Sequence, residues 1–273
     1  MLDQNKRAAL RQFLASLASS LVVFHGGACI GWTSSALPAN MTDQETVAMV
    51  GASFCLATCL GNLLSPLLTR RLGQKRSLVV VGLPLLSLHW LLVALYRLAS
   101  YTWIILLARA GGGLGFGLSL CLVPAYIHDI SSPRLRGIFG LATPLMANLG
   151  ILLIYVLGYL VDWWLTALVC LALTAPPLLL LIFTPDSPPC LLRRGKAEAS
   201  REALRALEPH TDLDTKILQM EENIRSDQFK TSWLQTLKLL KKGGNFKPLL
   251  ICMNLFLALH LCGMGPFIFF SSR

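Results

Sequence analysis

Glycines crowd residues 109–117 of this chain, which read RAGGGLGFG. A glycine-rich loop can cradle the phosphates of a dinucleotide, but that chemistry requires a preceding strand and a following helix in water. Here the glycines lie inside a long apolar stretch. We therefore interpret Gly111 with Gly115, and Gly113 with Gly117, as pairs of small residues that let two membrane helices pack backbone to backbone.

Arg109 opens the same run and lies inside the apolar stretch. An ionisable side chain at membrane depth is by default a functional-site hypothesis. The alternative is that Arg109 extends to the outer interface and keeps its guanidinium in water. The sequence alone leaves both interpretations open.

The eight cysteines do not suggest a disulfide framework, because all except Cys190 lie in apolar stretches. Buried or cytosolic thiols stay reduced and behave as small hydrophobic groups. Cys55 and Cys59 are one helical turn apart, but no histidine or further cysteine converges there, so packing is favoured over metal binding. We predict no metal, no cofactor and no enzymatic activity. No Asp or Glu lies in the middle of an apolar stretch, and His25 reads as a packed side chain.

The elements that must position these residues are membrane helices. Hydrophobic residues make up 54% of the 273-residue chain and charged residues only 14%, whereas soluble domains carry about 25% charged residues. A membrane span needs roughly 20 apolar residues. The sequence predicts seven spans, at about 13–34, 47–68, 77–98, 102–127, 137–160, 163–184 and 248–270.

The net charge of +10 is not spread evenly along the chain. Lysines and arginines gather in alternate connections, which is the distribution of cytoplasmic loops. It places the N-terminus and residues 185–247 in the cytoplasm, and it argues against a basic nucleic-acid-binding protein. A seven-span receptor would place the N-terminus outside, against this charge pattern.

The predicted plan is an all-α integral membrane protein. It consists of a cytoplasmic tail (1–12), a six-helix transmembrane bundle of two inverted three-helix repeats (13–184), a cytoplasmic insert of amphipathic helices (185–247) and a seventh transmembrane helix with the chain end (248–273). Within the insert, apolar residues three or four apart predict helices at 196–207, 214–224 and 233–240. Transporters of two six-helix halves, each with inverted repeats, share this plan.

Charged motifs follow three of the predicted spans. Residues 61–76 read GNLLSPLLTRRLGQKR, residues 124–137 read PAYIHDISSPRLRG and residues 185–195 read PDSPPCLLRRG. Gly61 allows the second span to approach its neighbour closely. Opposite charges at helix ends can hold two bundles in one conformation and release them in another. We predict such a conformational cluster from Arg71, Lys75, Asp129, Arg136 and Asp186.

Together these motifs resemble the sugar porter family of the major facilitator superfamily. That family shows a G…DRxGRR-like loop, then PxYxxE…RG, then PESPRWLL, in this order and at this spacing. The runs GWTSSALP at 31–38 and GILLIYVLG from residue 150 are most similar to insect facilitated trehalose transporters. The sequence departs from the family at Arg70, which stands where the loop has a carboxylate, and at Asp129 and Asp186, which stand where it has glutamates.

The resemblance implies facilitated diffusion of a hexose or a trehalose-like disaccharide by alternating access. A helix-five glutamine that grips sugar hydroxyls in the family corresponds to Pro144. The helix-seven motif QQLSGIN corresponds to 259–265, with His260 and Gly265 at amide positions. Asn148, one turn beyond Pro144, could supply a substitute amide, or it could pack between helices. We take Pro144, Asn148, His260 and Gly265 as the candidate sugar site.

The expected partners are the lipid bilayer and a sugar, in the plasma membrane. Because the chain ends at Arg273, just past the seventh span, a second hypothesis is a truncated half-transporter with a structural or regulatory role. A substrate path of this type lies between two six-helix halves. On that hypothesis the chain alone would not move sugar, and a homodimer or a separate C-terminal half would be needed to complete the path.

Overall fold

The computed structural model describes residues 2–35, 43–99, 101–209, 212–229 and 246–262. Six helices in these ranges are long and apolar enough to cross a membrane. Four are continuous: α1 (Leu2–Ser35), α2 (Gln44–Leu72), α4 (Thr102–Ile130) and α5 (Arg136–Leu160). α3 consists of Gln74–Ser77, the π-helical Leu78–Gly82 and Leu83–Ala99, and α6 covers Trp163–Phe183.

Two spans differ in detail from the sequence prediction. α1 begins at Leu2, so the residues predicted as a tail are helical from residue 2 onward. α6 is interrupted between Trp163–Ala172 and Ala175–Phe183. Pro176 and Pro177 explain the interruption, because proline lacks the amide hydrogen that would continue the preceding turn and is tolerated at the start of a helix.

Local chemistry sets the ends of α2. The Asp43 carboxylate accepts hydrogen bonds from the Thr46 amide at 3.1 Å and the Thr46 hydroxyl at 2.7 Å, which caps the first turn and lowers the pKa of Asp43. At the other end Gly73 has φ +75° and its amide donates to the Thr69 carbonyl at 3.0 Å. Glycine adopts that left-handed conformation without steric cost, so the chain turns sharply from α2 into α3.

Shorter helices follow the six spans: α7 (Pro188–Arg193), α8 (Ala197–Leu207), α9 (Leu213–Phe229) and the apolar α10 (Phe246–Leu261). α8 and α9 occupy the first two stretches for which amphipathic spacing predicts helices. The third predicted helix, 233–240, lies outside the described residues. The predicted seventh span begins within α10 and runs beyond the part of the chain that the structure describes.

α4 lies at the centre of the bundle, in contact with α1, α2 and α3, while α1 also packs along α5. The core contains the large side chains Trp32, Trp90 and Phe54, all at most 2% exposed. The outward faces carry exposed apolar residues such as Leu63 and Leu152. Apolar residues on both the inside and the outside of a helix bundle are expected when lipid replaces water as the solvent.

Candidate functional site

Arg109 on α4 is completely buried between α1 and α2 (0% exposed). Its guanidinium donates to the Cys29 carbonyl at 2.5 Å, to the Thr33 hydroxyl at 3.2 Å and to the Val50 carbonyl at 3.4 Å. The guanidinium carbon also lies 4.2 Å from the centre of the Phe54 ring, in cation–π geometry. Arg109 therefore ties three helices together at membrane depth and does not extend to the outer interface.

The partners of Arg109 are two backbone carbonyls and one hydroxyl, all uncharged. Among the described residues no carboxylate lies within 4.0 Å of this guanidinium. The Arg109 guanidinium stays charged beside these neutral acceptors, because arginine does not deprotonate in proteins. The site is therefore a fixed positive charge inside the bundle.

The glycines predicted to pack helices differ in how closely a neighbouring backbone approaches. A Cβ added to Gly61, Gly113 or Gly117 would lie under 3.0 Å from a carbonyl oxygen across the α2–α4 contact. At Gly115 the carbonyl of Gly82 on α3 would be 3.0 Å away. At Gly111 the nearest atom, the Leu85 carbonyl oxygen, would be at an ordinary 3.7 Å.

Pro144 and Asn148 lie on one face of α5 and are both exposed. The Asn148 amide nitrogen donates to the Pro144 carbonyl at 2.9 Å. The same amide group retains a second hydrogen and its oxygen for other partners. The structure therefore brings these two candidate residues together. The side chain of His260, on α10, and Gly265 lie outside what the structure describes.

The two carboxylates of the predicted charge cluster, Asp186 and Asp129, have separate sets of partners. Asp186, just before α7, lies 3.7 Å from the Lys75 ammonium and 3.9 Å from the Arg76 guanidinium. Lys75 also donates to the carbonyls of Ile182 and Thr184, at the end of α6. These contacts fix the start of α3 against the end of α6.

Asp129, at the end of α4, has mainly neutral partners. It accepts hydrogen bonds from the Gln74 amide at 2.9 Å and the Ser187 hydroxyl at 2.6 Å, and His128 lies 3.8 Å away. The Ser187 oxygen also accepts from the Cys190 amide at 3.4 Å, at the start of α7. Asp129 is thus the point at which α3, α4 and α7 meet.

Two residues of the predicted cluster stand apart from these carboxylates. Arg136, the first residue of α5, donates to the Ser131 carbonyl at 3.5 Å, in the loop just before the helix. Arg71 is exposed, and among the described residues it has no carboxylate within 4.0 Å. In this conformation Gln74, Ser187, Lys75 and Arg76 contact the two carboxylates instead. A single conformational cluster of Arg71, Lys75, Asp129, Arg136 and Asp186 stays a prediction.

Sequence reasoning missed Gln74, Ser187 and His89. Gln74 and Ser187 stand inside quoted motifs, but their bonds to Asp129 cross 55 and 58 residues, and no local pattern signals such pairings. His89 is fully buried on α3, with its Nδ1 atom 2.8 Å from the Ala108 carbonyl. A Cβ on Gly112 would lie 2.9 Å from the His89 ring. The sequence feature that could have indicated His89 is a histidine within an apolar stretch.

In the described part of the chain, no group of three or more His, Cys, Asp or Glu residues could hold a metal ion. Cys55 and Cys59 are exposed on the outer face of α2. What the geometry offers is a buried cation, closely approaching helices, an exposed amide and charged contacts at one end of the bundle.

The described helices define the class of protein: an all-α protein with six helices long and apolar enough to cross a membrane, whose fold matches part of a transporter of the major facilitator superfamily. The partially occluded, inward-open xylose transporter XylE from E. coli has the same fold over 82% of this chain and 61% of its own, with a TM-score of 0.64 and 21% identity. The proton:xylose symporter XylE bound to 6-bromo-6-deoxy-D-glucose matches 81% of this chain and 54% of its own, with a TM-score of 0.66.

The family profile described as Sugar (and other) transporter matches residues 16–273, and the chain belongs to this family. The facilitated trehalose transporter Tret1 of Aedes aegypti is 31% identical over 95% of this chain and 33% of its own length. The human solute carrier family 2, facilitated glucose transporter member 6 is 31% identical over 96% of this chain and 51% of its own length. The chain thus spans about half, or less, of the length of these relatives.

Proposed function

We propose that this chain forms the N-terminal half of a facilitative sugar transporter, which moves a hexose or a trehalose-like disaccharide by alternating access. Family membership supports sugar as the solute class. Relatives that are named facilitated trehalose and glucose transporters support movement without coupling to an ion. No covalent chemistry is part of this proposal.

The surroundings of Arg109 carry the proposal of facilitated diffusion. A proton-coupled carrier needs a group at membrane depth that gains and loses a proton during the cycle, usually a carboxylate. Arg109 is the buried charge on α4, and its partners are the Cys29 and Val50 carbonyls and the Thr33 hydroxyl. These acceptors neither gain nor lose a proton during a transport cycle, which supports facilitated diffusion as the proposed mode.

Asn148 is the proposed sugar contact on α5. It is exposed, and its amide oxygen and one amide hydrogen stay available beside the bond to the Pro144 carbonyl. Sugar hydroxyls pair with amides of this kind, and a site that loses such a pair loses discrimination. His260 and Gly265 complete the proposed site from the seventh helix.

The proposed orientation places the N-terminus, α7, α8 and α9 in the cytoplasm of a plasma-membrane protein. The basic residues Arg70, Arg71, Lys75 and Arg76 at the α2–α3 turn support this side, because cytoplasmic connections carry the excess of lysine and arginine. The connection before α2 carries the acidic residues Asp43 and Glu45 instead.

Uptake of radiolabelled trehalose and glucose tests the proposal, in cells that express the complete product of the gene encoding this chain. We expect saturable uptake that a protonophore leaves unchanged. Asn148→Ala should raise KM several-fold, as about 1 kcal/mol per lost hydrogen bond implies, whereas Leu149→Ala, at the neighbouring exposed position, should not. Absence of uptake would refute the sugar assignment, and collapse of uptake with the proton gradient would refute facilitated diffusion.

The same assay examines the hypothesis of a non-transporting half. The 273-residue chain alone is reconstituted into liposomes, next to empty liposomes. No saturable flux through the chain is expected, because a path between two six-helix halves needs both halves. Saturable flux through the 273-residue chain would contradict that prediction.

A further inference from the structure

A small polar cavity lies where the α2–α3 turn meets α7. Its volume is about 100 Å³, and its lining includes Arg70, Gln74, Asp129, Cys190, Arg193 and Arg194. Three arginines and one carboxylate therefore face a space large enough for a small ionic group. The proposed sugar path lies elsewhere, on the exposed face of α5.

The wall of the cavity is fixed by close backbone contacts. The Arg194 guanidinium donates to the carbonyl of Leu72, the last residue of α2. A Cβ at Gly73 would lie under 3.0 Å from the Cys190 sulfur, so the α7 segment closely approaches the α2–α3 turn. Arg194 and Cys190, both from the α7 segment, are thereby held against the turn that carries Arg70.

Asp129 is the one carboxylate among the described residues that line this cavity, and Arg70 and Arg194 together outnumber it. Asp129 accepts hydrogen bonds from the neutral Gln74 amide and Ser187 hydroxyl, whereas Asp186 is paired with Lys75 and Arg76. Among the residues that the structure describes, neither Arg70 nor Arg194 has a carboxylate within 4.0 Å. Clustered guanidinium groups of this kind recognise phosphate through paired, charge-assisted hydrogen bonds.

Gln74 brings to the cavity a buried acceptor that requires a hydrogen-bond donor. Its side chain is 8% exposed and its amide nitrogen donates to Asp129, but its amide oxygen is buried and has no hydrogen-bond partner in the described structure. A buried acceptor without a partner is costly, so a ligand that brings a donor is favoured. A fully ionised phosphate brings none, whereas a neighbouring hydroxyl group does.

We propose that this cavity binds a phosphate monoester that carries hydroxyl groups, with its phosphate on Arg70 and Arg194 and a hydroxyl on Gln74. Two sources offer this chemistry: a soluble sugar phosphate, or the headgroup of a phosphoinositide in the same membrane leaflet. Either ligand bridges the α2–α3 turn and α7, which are separate in sequence, and stabilises their contact. Occupancy of the cavity would then regulate the movement of this end of the bundle.

Binding is measured with the purified chain in phosphatidylcholine nanodiscs, using glucose 6-phosphate, inorganic phosphate and glucose as probes. A second set of nanodiscs contains a small fraction of phosphatidylinositol 4-phosphate. Arg70→Gln is the informative variant, because Arg70 is exposed and lines the cavity. Arg71→Gln is its matched control, since Arg71 is equally charged, adjacent and exposed but does not line the cavity. A second readout is alkylation of Cys190 by N-ethylmaleimide, mapped by mass spectrometry.

We expect glucose 6-phosphate to bind, to protect Cys190, and to bind about tenfold more weakly to Arg70→Gln, as loss of one charge-assisted contact implies. Arg71→Gln should retain the affinity of the parent chain. Binding that appears only with phosphatidylinositol 4-phosphate, with the same dependence on Arg70, supports the lipid source. Equal weakening in both variants, or absence of binding and protection with every probe, would overturn the proposal. Equal affinity for inorganic phosphate and glucose 6-phosphate would overturn the role of Gln74.

Discussion

The contact between α2 and α4 provides a sharp test of the packing argument, through the pair of substitutions Gly113→Ala and Gly111→Ala. Both positions lie on α4, and both belong to the small-residue pairs read from the sequence. A Cβ at Gly113 would lie under 3.0 Å from the Phe54 carbonyl oxygen and from the Ala57 side chain, whereas at Gly111 the nearest atom is 3.7 Å away. The two variants therefore add the same methyl group to very different surroundings.

The expected magnitude follows from these surroundings. Extra atoms in a packed interface cost about 1–3 kcal/mol, and here the nearest obstacle is backbone, which cannot rotate aside. Replacing glycine by alanine inside a helix also gains up to about 1 kcal/mol. Because both variants share that gain, the difference between their free energies of unfolding isolates the packing cost. We expect Gly113→Ala to be about 1–3 kcal/mol less stable than Gly111→Ala.

The assay is reversible unfolding of the purified chain in mixed micelles, with helix content as the signal. Gly140→Ala serves as a further control, because nothing lies within 4 Å of a Cβ at that position. Equal stability of Gly113→Ala and Gly111→Ala, or greater stability of Gly113→Ala, would contradict the expected packing cost. Either result would mean that α2 and α4 do not approach as closely as described.

Three further predictions concern charged groups and thiols. Arg109→Lys should lower the free energy of unfolding by about 1–3 kcal/mol. One ammonium group cannot reproduce the planar guanidinium that reaches Cys29, Thr33 and Val50, so buried acceptors would lose their hydrogen-bond partner. Unchanged stability in the micelle assay would contradict this prediction. Asp186→Asn should change the free energy of unfolding by only about 0–1 kcal/mol, since its pairs with Lys75 and Arg76 are partly exposed. The same substitution should change the rate at which the Cys190 thiol is alkylated. Loss of the folded chain would argue against a conformational role for Asp186. Burial raises the pKa of the Cys190 thiol. The rate of its alkylation by N-ethylmaleimide should therefore keep rising with pH beyond the range in which the rate for an ordinary thiol becomes constant. A rate that becomes constant at the same pH as for an ordinary thiol would contradict this prediction.

The sequence by itself determined the six helices that are long and apolar enough to cross a membrane. Each span is a run of apolar residues long enough to cross a bilayer, and length and hydrophobicity are local properties that neighbouring helices do not change. The three charged motifs stand in the order and spacing of the sugar porters, which identified the family before any contact was known. Helices α8 and α9 follow from apolar residues three or four apart, a period that is also local.

Only the tertiary structure decided which of these residues meet. Gly111 and Gly113 are indistinguishable as sequence, but the rotation of α4 turns Gly113 toward the α2 backbone and leaves Gly111 with room. Asp129 could have paired with any nearby cation, and its bonds go to Gln74 and Ser187. Helix rotation and crossing depend on the sum of many contacts between distant segments, so no local pattern encodes them. That is the physical reason why the helices were predictable and the contacts that join them were not.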